Sequence, residues 1–280
     1  MNLVPVGHLV AEGKTKKIYA DPKNEKMVLI RSKDAITAGD GAKRDEMTDK
    51  ARYSTQTARN CFRLLESAGI PTHFVDQVDD VTFRALRLRM IPIELVARRI
   101  AFGSFLERCP MVKRGQQFEQ LRTEFFYKDD ARHDPLMLWD TLERCFYLYR
   151  AHQPLFGKDS YLGSLSVETL AVPFSYQELQ GLLEETFLTL ERALAKLDLV
   201  ILDLKIEVGQ TGDGRLVVGD ILDSDSWRIC LVDKFQLVIA GDSSQLLDKQ
   251  TFRDGSLTME GLKANYALVA EMTKKFVDMV

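Results

Sequence analysis

In the segment LVILDLKIEVG, Asp203, Lys205 and Glu207 alternate with Leu202, Leu204, Ile206 and Val208. Successive side chains of a strand point to opposite faces, so the three charged groups share one face. The turn signals of GQTGDGR come next, and then LVVGDIL, a candidate partner strand that carries Asp220. If Glu207 and Asp220 face one another, they offer two oxygen ligands of the kind Mg2+ takes beside nucleotide phosphates. Lys205 would temper their repulsion or touch a phosphate, placing positive charge where a γ-phosphoryl group is transferred. A charged stripe is also the ordinary wet side of a sheet. The continuous apolar run from Leu199 to Leu202 argues against that plainer reading, because it suggests a strand covered on both sides.

A second candidate lies near the start, in EGKTKKIYA, with Gly13, Lys14 and Lys16. A P-loop needs four residues between its first glycine and the Gly-Lys pair, and a helix must come next so that its N-terminus meets the phosphates. Here Gly7 to Gly13 leaves five residues, and β-favouring residues come after the lysines. The surviving geometry is a glycine turn between two strands, whose amides approach phosphates while Lys14 and Lys16 add charge. An exposed basic hairpin would look the same.

Further cationic groups cluster in VARRIAFGSFLER, where Arg98, Arg99, Gly103, Ser104 and Arg108 surround a strand-to-turn junction. Arginine's planar fork suits carboxylates and phosphates, and Gly103 permits close approach of a ligand. KDDARHDP gathers Lys128, Asp129, Asp130, His133 and Asp134 in one loop, but no second histidine stands at ligand spacing, which disfavours catalytic zinc. DSDSWR and DKQTFRD add Asp225, Ser226, Arg228, Lys249 and Arg253. Each cluster taken alone is also compatible with surface charge.

The elements that must position these groups are partly readable. KKIYA and MVLIRS read as strands about the turn DPKNEK, and THFVDQ, TFRALRLRM and PIELVARRI as further strands. DAITAGDGAKRD reads as a polar, glycine-containing loop. Apolar residues from about Glu46 to Ala68 recur at helical spacing, with Gly69 as the stop. Ser175 and Glu178 form a capping box that opens a helix with a leucine-rich stripe, and a last amphipathic helix spans roughly Thr258 to Val277. From Glu124 to Pro173 the pattern is weak and reads as connections with one or two short helices.

The chain has 280 residues, 45% hydrophobic and 28% charged, with a formal net charge of −3. That balance gives no general attraction to nucleic acid or anionic membranes, so an anionic ligand needs a local basic cluster. Cys61, Cys109, Cys145 and Cys230 lie far apart, which suits reduced thiols better than a zinc site or disulfides. The first residues lack the features of a signal peptide, and no apolar run reaches membrane-spanning length. A cytoplasmic chain without membrane or nucleic-acid partners is expected.

Taken together, EGKTKKIY, DAITAGDGAKR, AGIPTHF, IPIELVARRIAFGSFLER, FFYKDDARHDP, LDLKIEVG, GDILDSDSWR and DKQTFRD resemble the blocks of the SAICAR synthetase family, in the family's order. The resemblance implies a two-lobed α+β fold related to ATP-grasp, with antiparallel sheets and flanking helices. It also implies a nucleotide-loop lobe over 1–92, a metal and substrate lobe over 93–280, and assembly as a homo-oligomer. The implied reaction joins carboxyaminoimidazole ribotide (CAIR) and L-aspartate with ATP and Mg2+, through an acyl phosphate. Gly13, Lys14, Lys16 and Lys128 match the nucleotide positions, Glu207 and Asp220 the metal carboxylates, and Lys16, Asp203 and Lys205 the catalytic neighbourhood. Arg98, Ser104 and Arg228 match residues that hold CAIR. Asp40, Asp134, Lys249 and Arg253 match further substrate positions. The stretches 142–172 and 229–246 depart from the family's pattern. The runner-up class is a small-molecule or protein kinase, since hairpin glycine loops and paired acids serve both; the protein-kinase version is disfavoured because the HRD and DFG motifs are missing. A regulatory nucleotide-binding protein without turnover is disfavoured by the presence of Lys16, Glu207, Asp220 and Arg228. RNA binding lacks both aromatic stacking motifs and a basic balance.

Overall fold

The computed structural model describes residues 4–38, 43–170, 173–253 and 255–279. The first part of the chain forms β1 (Leu9–Glu12), β2 (Lys16–Ala20), β3 (Met27–Ser32) and a two-stranded hairpin, β4 (Ala35–Ala38) with β5 (Lys43–Glu46). Helix α1 (Lys50–Ser67), β6 (Phe74–Asp79) and β7 (Thr82–Leu86) come next. A five-stranded antiparallel sheet runs in the order β1-β2-β3-β7-β6. The segment read as a polar loop, DAITAGDGAKRD, is thus a hairpin over its described residues. Its strands are only four residues each, and the second, Lys-Arg-Asp-Glu, is wholly charged, which hides the pair from a pattern reading.

The second sheet begins with β8 (Arg89–Ile100), which leads through a turn into the short helix α2 (Ser104–Arg108). Next come β9 (Gln117–Tyr127), β10 (Leu136–Asp140), β11 (Cys145–Tyr149) and β12 (Tyr161–Ser166). Helices α3 (Val167–Leu170) and α4 (Tyr176–Ala195) precede β13 (Leu199–Gln210), β14 (Leu216–Gly219) and β15 (Trp227–Leu231). The order is β12-β11-β10-β9-β8-β13-β14, with β15 also paired to β13. The stretch 124–173 therefore holds four strands or parts of strands in place of plain connections, while α3 is a short helix of the kind expected there. Its turns place Arg144, Phe156 and Asp159 at positive φ, where glycine or asparagine would have marked them. Short helices α5 (Phe235–Ala240) and α6 (Gln250–Arg253) and the long α7 (Met259–Thr273) complete the chain.

Helix α1 ends as its sequence says: Gly69 has φ +80, and the N–H of Ile70 returns to the Leu65 carbonyl at 2.9 Å. Its start is capped by Asp34, whose Oδ1 accepts the N–H of Ala51 at 2.9 Å. In α4 both halves of the capping box form: Ser175 Oγ accepts from the Glu178 N–H, and Glu178 Oε2 accepts from the Ser175 N–H. Leu179, Leu183, Phe187, Leu190 and Leu194 of α4 are buried with Leu204, Ile206 and Val208 of β13 in one core. That packing consigns one face of β13 to the core and leaves the charged face to the site. The segment after α1 ties the sheets together, since Val218 N–H donates to Pro71 O and His73 N–H to Val218 O, both at 2.9 Å.

Candidate active site

Register puts the charges of β13 in rows. Asp203 lies between Arg98 of β8 and Arg228 of β15, and Glu207 lies between Glu94 of β8 and Gly219 of β14. The shared face inferred from alternation is present. Asp220, however, sits one residue beyond β14 and not on it, with φ +61. Backbone in this region is uncommon for a residue with a side chain. The effect is to turn the Asp220 carboxylate toward the first sheet, where Lys16 makes an ion pair with its Oδ1.

Gly13 and Lys16 belong to a β1–β2 hairpin turn closed by the Gly13 N–H donating to Lys16 O at 3.0 Å. The next element is a strand, not a helix. Lys14 is exposed at the tip of the turn. Lys16 is the first residue of β2, with its side chain 21% exposed. Burial pushes its ammonium down to about 8, against the upward pull of Glu207. Lys128 Nζ donates to Glu207 Oε1 at 2.7 Å, and Lys205 Nζ donates to Glu94 Oε1 at 2.8 Å while lying 3.9 Å from Glu207. Burial alone would raise the Glu207 carboxyl; Lys205, Lys128 and Lys16 outweigh it and hold it below its ordinary value.

The fit to Mg2+ can be judged on donors. Glu207 and Asp220 present carboxylates in a cluster of ammonium groups, with Lys16 paired to Asp220 and Lys128 to Glu207. No group of three or more His, Cys, Asp or Glu suited to a metal occurs among the described residues. Two carboxylates completed by phosphate oxygens and water is a coordination set that Mg2+ uses, so the residues fit.

Beside this cluster runs a buried ionic chain. Glu124 accepts from Arg108 Nη2 at 2.7 Å and from Arg98 Nε at 2.5 Å, Arg98 Nη1 donates to Asp203 at 2.9 Å, and Arg228 Nη1 donates to the same oxygen at 2.6 Å. Arg98 is 3% exposed and held by carboxylates on both sides. Gly103 has φ 58 and ψ −142, a region open essentially to glycine, and a Cβ there would stand 2.7 Å from Arg228 Nη2. The close approach that Gly103 permits is therefore that of Arg228. Ser104 opens α2 next to it.

Lys249 belongs to a neighbouring buried group. Asp225 takes Lys50 Nζ at 3.1 Å, has Lys249 Nζ at 3.5 Å, and accepts the Tyr266 hydroxyl. Burial alone would raise the Asp225 carboxyl; Lys50, Lys249 and Tyr266 overcome it and hold it well below the carboxylate range. Asp134 accepts the Asp129 N–H at 2.7 Å, and burial, reinforced by Glu94 and Asp130, pushes its carboxyl up. Asp40 and the side chain of Arg253 lie outside the described residues.

Sequence reasoning passed over Glu94, Glu124, Lys50, Tyr266 and His73. Glu94 was detectable, since it shares a strand face with Arg98 and alternates with Ile93, Leu95 and Ala97 along PIELVARRI. His73 is buried among Phe62 and Phe83, which drives its imidazolium down to about 3 and keeps it neutral. Its Nε2 lies 2.8 Å from the Asp220 carbonyl.

Comparison with known proteins adds to this arrangement. The SAICAR synthetase family profile matches residues 9–271. The chain belongs to the SAICAR synthetase family. A phosphoribosylaminoimidazole-succinocarboxamide synthase of Chloroflexus aurantiacus is 40% identical over 275 residues, 97% of this chain and 98% of that one. A bifunctional phosphoribosylaminoimidazole carboxylase/succinocarboxamide synthetase of Drosophila melanogaster is 37% identical over 276 residues, 97% of this chain and 58% of that one. Among solved structures, a SAICAR synthetase in complex with ADP has a TM-score of 0.73 at 24% identity, covering 94% of this chain and 96% of that one. The SAICAR synthetase of Pyrococcus horikoshii OT3 has a TM-score of 0.71 at 24% identity, covering 92% and 97%. The fold is that of SAICAR synthetases, mixed α and β with antiparallel sheets, and by family the chain is a ligase of purine biosynthesis. No helix among the described residues is long and apolar enough to cross a membrane.

Proposed function

We propose that the chain joins CAIR and L-aspartate at the expense of ATP, giving SAICAR, ADP and phosphate. The observation that carries this reading is the meeting of Lys16 from the β1–β2 hairpin with Asp220 and the Glu207 cluster, on the strand face that also bears Arg98, Asp203 and Arg228. A polyphosphate fits the first group and an anionic nucleotide-like acid the second. The ADP complex of a similar fold and the names of the relatives support both halves.

In this reading the amides around Gly13, with Lys14, Lys16 and Lys128, hold the ATP phosphates. Glu207 and Asp220 would hold Mg2+, which neutralises charge on the transferred phosphoryl oxygens. Arg228 and Ser104 hold CAIR, and Arg98 fixes Arg228 through their shared partner Asp203. Asp40, Asp134, Lys249 and Arg253 complete the substrate pocket, and Lys205 with Asp203 keeps the acceptor carboxylate aligned. A CAIR carboxylate oxygen attacks the γ-phosphorus and ADP leaves. The aspartate amine then attacks the acyl carbon, loses a proton, and phosphate leaves. No side-chain nucleophile is required, so positioning and electrostatic stabilisation carry the rate. The relation to ATP-grasp, the 1–92 and 93–280 lobes and a homo-oligomeric assembly belong to the same reading.

The test is substrate omission. ADP should appear with Mg-ATP only when both CAIR and aspartate are present. Equal ADP release without aspartate would replace the ligase by a kinase or ATPase.

A further inference from the structure

The proposed metal carboxylate Asp220 depends on a backbone that aspartate does not hold by default. Its φ of +61 lies in the left-handed region, directly after β14 ends, and its side chain turns to Lys16. What fixes the Asp220 peptide is a contact to its carbonyl, separate from the Lys16 contact to its carboxylate. His73 is 3% exposed, with Phe62 at 5.3 Å and Phe83 at 5.8 Å between ring centroids, both edge-on. In this apolar setting its Nε2 reaches the Asp220 carbonyl at 2.8 Å. A carbonyl can only accept, so Nε2 carries the proton. The His73 backbone is itself pinned, its N–H donating to Val218 O at 2.9 Å and its carbonyl accepting from Leu86 N–H at 2.7 Å. The imidazole is thus a strut of fixed length between β14 and the residue just beyond it.

We infer that His73 is a positioning residue, whose Nε2–H holds the Asp220 carbonyl so that the Asp220 carboxylate is delivered to the metal and nucleotide cluster. Packing alone does not call for an imidazole here. The surrounding rings would accept phenylalanine, and a buried polar group surrounded by apolar ones is retained at a cost unless its hydrogen bond is used. The inference rests on the proposed reading of Asp220 and Glu207 as Mg2+ ligands.

The test compares ADP binding by calorimetry in EDTA and in Mg2+ for the wild-type chain, His73→Phe and His73→Gln, with thermal midpoints recorded alongside. Glutamine's Nε2 stands where that of histidine does and can donate to the same carbonyl. In the wild type Mg2+ should tighten ADP by about tenfold or more. His73→Phe, which leaves the Asp220 carbonyl without its donor, should lower the midpoint by no more than about 5 °C, keep metal-free ADP affinity within about twofold and lose most of the Mg2+ gain, whereas His73→Gln should restore the midpoint and bring the gain back to within about threefold. If His73→Phe does not fold, His73→Asn takes its place, because its amide is too short to reach the carbonyl. A full Mg2+ gain in the phenylalanine or asparagine variant overturns the inference while leaving the metal reading intact. Loss of the gain in the glutamine variant as well, together with a lowered midpoint, also overturns it in favour of a merely structural histidine. Absence of any Mg2+ gain in the wild type overturns the metal reading itself, and the inference with it.

Discussion

Replacing Glu124 with glutamine tests whether the buried ionic chain is one unit. The Glu124 side chain is 10% exposed and its neighbours Arg98 and Arg108 are 4% and 1% exposed. Oε2 accepts from Arg98 Nε at 2.5 Å, and Oε1 accepts from Arg108 Nε at 2.9 Å and Nη2 at 2.7 Å. Glutamine keeps the volume and one acceptor but removes the charge, and its amide NH2 must face a guanidinium donor. Breaking a buried pair by neutralising one member costs about 3–5 kcal/mol, because the charges left behind stay out of water. A chain of this length unfolds with an entropy of about 0.6 kcal/mol/K near its midpoint, so Tm should fall by about 5–8 °C in scanning calorimetry. The exposed control Glu25→Gln should shift it by about 1 °C or less. About 0.5 M salt should leave the deficit in place, since buried charges are little screened. A drop of less than about 2 °C would show that solvent compensates the arginines, and would refute the description of the chain as buried and coupled.

Two further outcomes are expected. Gly103→Ala forces a Cβ to 2.7 Å from Arg228 Nη2 in a backbone conformation costing about 1–3 kcal/mol, so the KM for CAIR should rise by about tenfold while that for ATP moves little; an unchanged KM for CAIR would detach Arg228 from that substrate. With Lys16 lowered to about 8, ADP affinity at pH 9 should be about tenfold below its value at pH 7, and binding should take up about one proton at pH 9 and none at pH 6.5. Lys16→Arg should flatten that profile, and a flat profile in the wild type would sink the assignment. The sign for stability is opposite to that for binding. Between about 8 and 10.5 the unfolded lysine binds more protons than the folded one, so its contribution to stability rises with pH across that window.

Alternation along β13 is enough to place Asp203, Lys205 and Glu207 on one face, because period-two patterning is a local property. The hairpin around Gly13 is likewise readable from the β-favouring residues of KKIYA on its far side. Asp220 is not, since nothing local marks an aspartate that leaves its strand at positive φ. The Glu124–Arg98–Asp203–Arg228 chain depends on register across β9, β8, β13 and β15, which no single segment encodes. Lys50 lies on the helical stripe of α1 but is fully buried against Asp225, where a pattern reading places a lysine in water. The strands β10 and β11 are short, and their flanking turns use residues that do not advertise left-handed backbone.

The pairing of Lys16 with Asp220, Lys128 with Glu207 and Lys205 with Glu94 has a consequence for ionic strength. Each ammonium already has a counter-ion that is covalently part of the chain. Tethered carboxylates act at an effective concentration set by the fold, which added buffer anion does not change. A polyphosphate entering this cluster competes with those tethered groups and not with chloride. The site therefore behaves as an ion exchanger with its own built-in load, and nucleotide affinity should depend on added salt less steeply than its count of lysines alone would suggest.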